Sequence, residues 1–72
     1  NIRTNAVAPG MIETDMIMQM DNQMRENLKQ RLVSKHLGRP SEIADVVYFL
    51  ASEGASYING QVLIANGGGY CF

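Results

Sequence analysis

The chain has 72 residues, so it forms at most one small domain, and chains of this size bury only about 60% of the surface that their unfolded form exposes. Six basic and seven acidic side chains leave a formal net charge of -1, which argues against binding to a polyanion such as DNA or RNA. No apolar run approaches the roughly eighteen residues that a membrane span requires, and the single cysteine, Cys71, has no partner for an internal disulfide, which favours a cytoplasmic setting.

The first residues predict a buried β-strand. Residues 1 to 8 mix β-branched and small side chains, and the pair Pro9-Gly10 that follows ends regular structure and makes a turn. Because apolar or small side chains face both ways along this segment, we expect both of its faces to be covered, as in a parallel sheet. The chain starts with Asn, inside this strand, so we expect further sequence to precede it.

Two helices are predicted next. Residues 14 to 20 form a short helix for which Thr14 can supply the cap. Residues 21 to 33 form a longer one, with Asp21 as the N-cap and apolar side chains at every fourth position along one stripe.

A third helix has the most complete apolar face. Residues 35 to 40 are predicted to connect it to the preceding helix, and Ser41 to cap it. It runs from residue 42 to residue 52 and ends before Gly54, which takes the C′ position. Apolar side chains surround most of this helix, so we expect it to be covered on two sides.

A short apolar strand is predicted over residues 61 to 65, after the turn signal Asn59-Gly60. The order is then strand, helices, strand, which is typical of a parallel sheet with helices packed against its faces. Two strands are too few for such a sheet, so we expect the other strands to lie upstream.

Three stretches of the chain resemble short-chain dehydrogenase/reductases. Residues 5 to 14, NAVAPGMIET, are similar to that family's Asn-x-x-x-Pro-Gly-x-Ile-x-Thr motif. Residues 38 to 52 resemble its penultimate loop and last helix, and residues 57 to 63 resemble the entry to its last strand. Within the family the closest likeness is to the 3-oxoacyl-acyl-carrier-protein reductases. One departure is Asn66, which stands where many relatives have Asp.

The resemblance implies a doubly wound Rossmann-type α/β fold, with residues 1 to 72 as the carboxy-terminal part of a single domain. It implies an oxidoreductase that uses NADP or NAD to reduce a 3-oxoacyl thioester of fatty-acid synthesis, or alternatively to oxidise a sugar, polyol or steroid alcohol. The family's catalytic Ser, Tyr and Lys would lie upstream, because the residues four positions after Tyr48 and Tyr57 are Ser52 and Gln61 rather than Lys. We therefore assign no catalytic residue to this chain.

The candidate cofactor site is the segment after the first strand. In open parallel sheets ligands bind beyond the carboxyl ends of the strands, which is where Pro9 and Gly10 fall. Pro9 fixes the turn, Gly10 permits close approach of the backbone, and N–H groups around residues 12 to 14 are expected to be open. The resemblance implies that the backbone at Ile12 holds the nicotinamide carboxamide and that the Thr14 hydroxyl contacts the same part of the cofactor. Spacing alone would indicate a plain turn.

The candidate substrate site is the methionine-rich segment. All five methionines lie between positions 11 and 24, and methionine stripes are more often core filler than a ligand wall. The resemblance places this segment over the substrate, so Met11, Met16 and Met20 are predicted to contact it, in a segment that acts as a lid.

Other features carry weaker expectations. His36 is the only histidine and has no neighbouring ligand cluster, so no metal site is predicted, and Arg39 is expected to be solvated. Asn5 is as well suited to bonding nearby backbone as to a catalytic network.

The protein is expected to be a homodimer or homotetramer whose subunits meet through residues 42 to 52 and 61 to 65. Its expected substrate is acyl-carrier-bound or a small molecule, and neither nucleic-acid nor membrane partners are expected. The rival interpretation is a non-catalytic interaction module.

Overall fold

A computed structural model describes residues 2 to 69, so Asn1 and Cys71 lie outside the described residues. In chain order the elements are β1 (Ala6–Pro9), α1 (Asp15–Met18), α2 (Asn22–Gln30), α3 (Pro40–Ala51), a short 3-10 helix (Glu53–Ala55) and β2 (Val62–Ala65). The two strands pair in parallel, with Ala6 opposite Val62 and Pro9 opposite Ala65. This arrangement confirms the predicted α/β class with a parallel sheet.

β1 is shorter than the strand predicted over residues 1 to 8. It begins at Ala6, because its partner β2 begins only at Val62 and the residues before it face a turn instead. At that turn the Thr4 N–H donates to Asn59 Oδ1 over 3.0 Å, and the Thr4 carbonyl accepts from the Gly60 N–H over 2.8 Å. The segment before β1 is therefore held by loop contacts rather than by a strand ladder.

The two helices after β1 are also shorter than predicted, although they lie in the expected places. Thr14 occupies the N-cap position of α1, but its side chain makes no capping hydrogen bond. Asp21 caps α2 as predicted, with its Oδ1 accepting from the Met24 N–H over 3.0 Å. α2 ends at Gln30, and the chain that follows it bonds the C-terminal segment instead of continuing the helix. The Ser34 N–H donates to the Gly67 carbonyl over 3.0 Å.

The start of α3 corrects the prediction that Ser41 caps it. Arg39 is the N-cap and Pro40 is the first helical residue, so Ser41 lies inside the first turn. Proline suits this position because its φ is already helical and the N–H that it lacks would have no partner inside the helix. The Glu42 carboxylate stabilises the start by accepting from the Arg39 N–H over 2.9 Å.

The end of α3 also differs from prediction. Gly54 does not take a left-handed C′ conformation but lies within the 3-10 helix that follows, and Ser52 is the C-cap. The role expected of glycine is filled by the Arg3 side chain, whose guanidinium donates to the carbonyls of Leu50 over 3.0 Å and Ala55 over 2.8 Å. A cation at a helix C-terminus satisfies the unpaired carbonyls and interacts favourably with the helix dipole.

The core of the described chain is small. Four apolar side chains are buried, namely those of Leu32, Leu37, Leu50 and Ala55. Large apolar side chains on α3 and β2 remain exposed to solvent, among them Val47, Tyr48, Phe49, Val62 and Ile64. α3 and β2 therefore present apolar surface that residues 2 to 69 do not cover.

Candidate functional site at the carboxyl edge of the sheet

β1 and β2 end side by side. Pro9 is paired with Ala65, and the Gly10 N–H extends the ladder by donating to the Ala65 carbonyl over 3.1 Å. Because the strands are parallel, the loops that follow them leave the sheet at the same edge. Pro9 and Gly10 therefore lie where open parallel sheets bind their ligands, as the sequence predicts.

Gly10 lies directly against the end of the neighbouring strand. A Cβ added to Gly10 would stand 2.5 Å from the Asn66 Cβ and 2.8 Å from the Asn66 Cα. The Asn66 Cα belongs to the backbone, so this crowding cannot be relieved by rotating a side chain. The close approach that Gly10 permits is thus an approach to Asn66, which spacing in the sequence does not reveal.

The segment after Gly10 is bridged to the loop before α3. The Met11 carbonyl accepts from the Gly38 N–H over 2.9 Å, and the Glu13 N–H donates to the Gly38 carbonyl over 2.8 Å. These two bonds form an isolated parallel bridge between Ile12 and Gly38. Because polar groups alternate in direction along an extended segment, the Ile12 N–H points away from Gly38.

These bonds correct the expectation that the N–H groups of residues 12 to 14 are all open. The Glu13 N–H is used by Gly38, and the Thr14 N–H donates to the Ile12 carbonyl over 2.7 Å. Within residues 2 to 69, the Ile12 N–H donates to no recorded partner. Of the N–H groups of residues 12 to 14, that of Ile12 is therefore the open one, and it belongs to the residue that the resemblance assigned to the cofactor.

Thr14 lies two residues further along the same turn. Its side chain is exposed, and its hydroxyl makes no hydrogen bond with the described part of the chain. Its carbonyl accepts from the Met18 N–H over 2.9 Å, so the backbone position is fixed by α1. The turn thus offers a ligand polar groups that include the open N–H of Ile12 and the hydroxyl of Thr14.

Two cavities flank this turn. One, of about 390 Å³, lies between the turn and the end of α2, where it is lined by Met11 and Leu28 among others. The other, of about 280 Å³, lies between the turn and α3, where it is lined by Met11, Ile12 and Val46. Asn66 lines both cavities. The turn and Asn66 together form the wall between them.

The three predicted substrate residues are not brought together. Met11 borders both cavities, whereas the side chain of Met16 is 76% exposed on α1 and Met20 is half-buried just beyond it. Neither Met16 nor Met20 lines the cavities described above. No residue of α1 or α2, both of which lie wholly within the described chain, is buried. Residues 16 to 24 thus form a mostly exposed arm beside the site, whereas Met11 is part of the site.

The remaining sequence candidates have structural roles. Asn5 bonds nearby backbone, with its Nδ2 donating to the Ile58 carbonyl over 3.1 Å and its Oδ1 accepting from the Gln61 N–H over 3.0 Å. His36 lines the smaller cavity, and its Nδ1 lies 2.9 Å from the Leu37 carbonyl oxygen. Among residues 2 to 69 there is no group of three or more side chains suited to a metal ion. Over the same residues, no helix is both long and apolar enough to cross a bilayer.

Gly38 and Asn66 belong to the site, although no pattern in the sequence predicts it. In the sequence Gly38 is part of a stretch that resembles a family loop, and Asn66 stands where many members of that family have Asp. Both meet the Pro9–Gly10 turn through contacts between residues far apart in the chain. A local pattern carries no signal for such contacts.

Comparison with known proteins agrees with the motifs. Residues 1–70 match a family model described as Enoyl-(Acyl carrier protein) reductase. The chain is 49% identical over 70 residues to the uncharacterized oxidoreductase YmfI of Bacillus subtilis, a match that covers 97% of this chain and 29% of that protein. It is 47% identical over 68 residues to the 3-oxoacyl-[acyl-carrier-protein] reductase FabG of Aquifex aeolicus, with 94% of this chain and 27% of that protein covered.

A solved structure gives the same result for the fold. A short-chain dehydrogenase/reductase of Brucella melitensis, also named a glucose/ribitol dehydrogenase, superposes with a TM-score of 0.88 at 40% identity, covering 97% of this chain and 29% of that one. The chain thus spans less than a third of the length of each of these relatives. The motifs around Pro9–Gly10, the family model and the superposed fold lead to one conclusion: the chain belongs to the short-chain dehydrogenase/reductase family.

Proposed function

We propose that this chain is the carboxy-terminal part of the single Rossmann-type domain of an NAD(P)-dependent oxidoreductase, and that it forms one wall of the nicotinamide site. The observation that carries the proposal is the turn at the carboxyl edge of the sheet, with its open Ile12 N–H and free Thr14 hydroxyl. The oxidoreductase names of the relatives support it.

The chemistry of the turn fits a carboxamide. A backbone N–H suits the carboxamide oxygen, and a threonine hydroxyl can donate or accept, so it suits either end of that group. The bonds to Gly38 on both sides of Ile12 fix the direction of its N–H before any ligand arrives. A donor that is already oriented loses less entropy on binding than one on a loose loop.

The role of this chain is to bind and orient. When bound, NADP or NAD supplies the hydride chemistry, and the protein supplies position and electrostatics. Pro9 and Gly10 set where the turn leaves the sheet, and Ile12 and Thr14 hold the nicotinamide end in place. Proton transfer belongs to the Ser, Tyr and Lys that the family resemblance expects upstream.

The substrate that we propose is a 3-oxoacyl thioester on an acyl carrier. The Aquifex aeolicus relative carries this activity in its name. Met11 lines both cavities beside the turn, and a flexible thioether side chain suits an acyl chain better than a polar substrate. Met16 and Met20, on the exposed arm, are expected to close over the substrate when it binds.

A sugar or polyol alcohol is the second candidate substrate. The Brucella melitensis structure, which superposes on nearly the whole chain, is named a glucose/ribitol dehydrogenase. The two candidates differ in direction, since the first is a reduction of a carbonyl and the second an oxidation of an alcohol. Rates of the full-length protein with a 3-oxoacyl thioester and with ribitol distinguish them directly.

The cofactor proposal is tested by Thr14→Val in the full-length protein. Loss of one side-chain hydrogen bond is worth about 1 kcal/mol, so the Kd of the reduced cofactor should rise about fivefold, and activity should fall with it. Fluorescence titration of reduced cofactor measures the Kd. Thr4→Val is the matched control, because Thr4 is also exposed but lies near the opposite edge of the sheet. An unchanged Kd for Thr14→Val would remove Thr14 from the site.

A further inference from the structure

Asn66 lies at the carboxyl edge of the sheet, directly after β2 and against Gly10. We propose that Asn66 is a positioning residue for the cofactor turn, setting where Gly10 and the residues after it stand. This inference rests on the proposed function: Asn66 would act through its contact with Gly10 and not by touching the cofactor.

The first observation is the contact between Asn66 and Gly10. The ladder bond from the Gly10 N–H to the Ala65 carbonyl brings the next residue, Asn66, alongside Gly10. The space that a Cβ on Gly10 would need is already filled by the Cβ and Cα of Asn66. A shift of Asn66 would therefore move the surface that Gly10 packs against, and would change the path of the backbone from Gly10 to Ile12.

The second observation is the bonding that holds Asn66 itself. Its side-chain Oδ1 accepts from the Gly68 N–H over 3.0 Å, and its carbonyl accepts from the Gly69 N–H over 3.1 Å. Gly67 and Gly68 have φ values of 61° and 81°, a left-handed conformation that permits this tight reversal. An asparagine side chain that bonds the backbone two residues ahead is a common way to fix such a turn.

The third observation concerns the hydrogen-bonding capacity of Asn66. Its Nδ2 is buried without a recorded partner in residues 2 to 69, so Oδ1 alone anchors the side chain there. An aspartate has the same shape and keeps the acceptor. Asn66→Asp therefore preserves the hydrogen bond to Gly68, whereas Asn66→Ala removes it.

The position of Asn66 relative to the cavities explains why it should affect the cofactor. It lines both cavities that flank the turn, together with Met11 in each. A substitution of Asn66 would alter both cavities beside the turn and would leave the opposite edge of the sheet unchanged. We therefore expect it to alter cofactor affinity more than overall stability.

Asn59 provides a matched control. Its Oδ1 also accepts a backbone N–H, that of Thr4, over the same distance of 3.0 Å, but at the opposite edge of the sheet. Asn59→Ala and Asn66→Ala remove the same atoms and the same kind of bond. A loss of stability should be shared by both variants, whereas a loss of cofactor positioning should be confined to position 66.

The experiment measures the Kd of reduced NADP and reduced NAD, the substrate KM and kcat, and the melting temperature of the full-length protein and its variants. For Asn66→Ala we expect a rise of about fivefold in cofactor Kd, because a displaced turn would lose the proposed hydrogen bond between the Ile12 N–H and the cofactor, with little change in substrate KM. The Kd of Asn66→Asp should stay within about twofold of that of the parent. Asn59→Ala should leave the Kd unchanged, and it should lower the melting temperature about as much as Asn66→Ala does.

Three results would overturn the inference: an unchanged Kd in Asn66→Ala, an equal rise in Asn59→Ala, or a failure of Asn66→Asp to restore affinity. If Asn66→Ala does not fold, Asn66→Ser provides the same comparison, because its hydroxyl replaces the turn bond only weakly. A parent protein that binds neither reduced cofactor would instead contradict the proposed function itself, which separates the two failures.

Discussion

At the scale of single residues, Gly10 lies where its motif predicts, but the structure gives a further reason why the residue is glycine. The Pro9-Gly10 pair predicts a turn at which the glycine lets the backbone approach a cofactor closely. In the structure the glycine is required by Asn66, whose backbone lies 2.8 Å from a Cβ placed on Gly10. The location could be predicted because it follows from strand order, whereas the contact could not, because it joins residues 56 positions apart (66 − 10).

The Asp21 cap is a residue whose role the sequence does reveal, because a capping side chain bonds only its own helix. Asp21→Ala should destabilise α2 by about 1 kcal/mol, since the Met24 N–H loses its acceptor. Amide hydrogen exchange in the full-length protein should then quicken about fivefold across α2. Asp21→Asn, which keeps the acceptor, should exchange like the parent, and equal exchange in Asp21→Ala would show that the cap contributes nothing.

At the scale of secondary-structure elements, the order of the two strands and three α-helices agrees with prediction, whereas their boundaries and the short 3-10 helix do not. α3 begins at Pro40 rather than after Ser41, because the proline can start the helix and the Glu42 carboxylate completes it. It ends without a left-handed glycine, because the Arg3 guanidinium donates to the carbonyls of Leu50 and the C-cap residue Ser52. A local pattern identifies a helix, but a distant side chain decides where it stops.

Two elements, α3 and β2, remain candidates for subunit contact. Val47 and Phe49 on α3 are 52% and 43% exposed, and Val62 on β2 is 63% exposed, so both elements present apolar surface. We predict that the full-length protein is a dimer or tetramer formed through these two elements, since a two-fold axis needs one self-complementary patch. Val47→Asp should dissociate it in sedimentation experiments while circular dichroism remains unchanged.

The control for that prediction is Gln30→Asp, which introduces the same charge at an exposed position of α2. It should leave the sedimentation coefficient of the oligomer unaltered. A parent protein that sediments as a monomer at micromolar concentration would contradict the oligomer prediction.

At the scale of the whole molecule, the described chain is open rather than compact. Its radius of gyration is 14.3 Å, whereas a compact domain of this length has one of about 11 Å. A two-stranded sheet with four buried apolar side chains is marginal on its own, so we expect its faces to be covered by other parts of a longer protein. Measurements of function therefore belong to the full-length protein.

The most direct measurement is amide hydrogen exchange at Ile12 in the full-length protein, with and without saturating reduced cofactor. The Ile12 N–H has no recorded acceptor within residues 2 to 69, so a carboxamide bonded to it should slow its exchange about tenfold. The Asn59 N–H, which also lacks a recorded acceptor there but lies at the opposite edge of the sheet, should not change. Unaltered exchange at Ile12 in a protein that demonstrably binds the cofactor would contradict the assignment of this turn to the nicotinamide site.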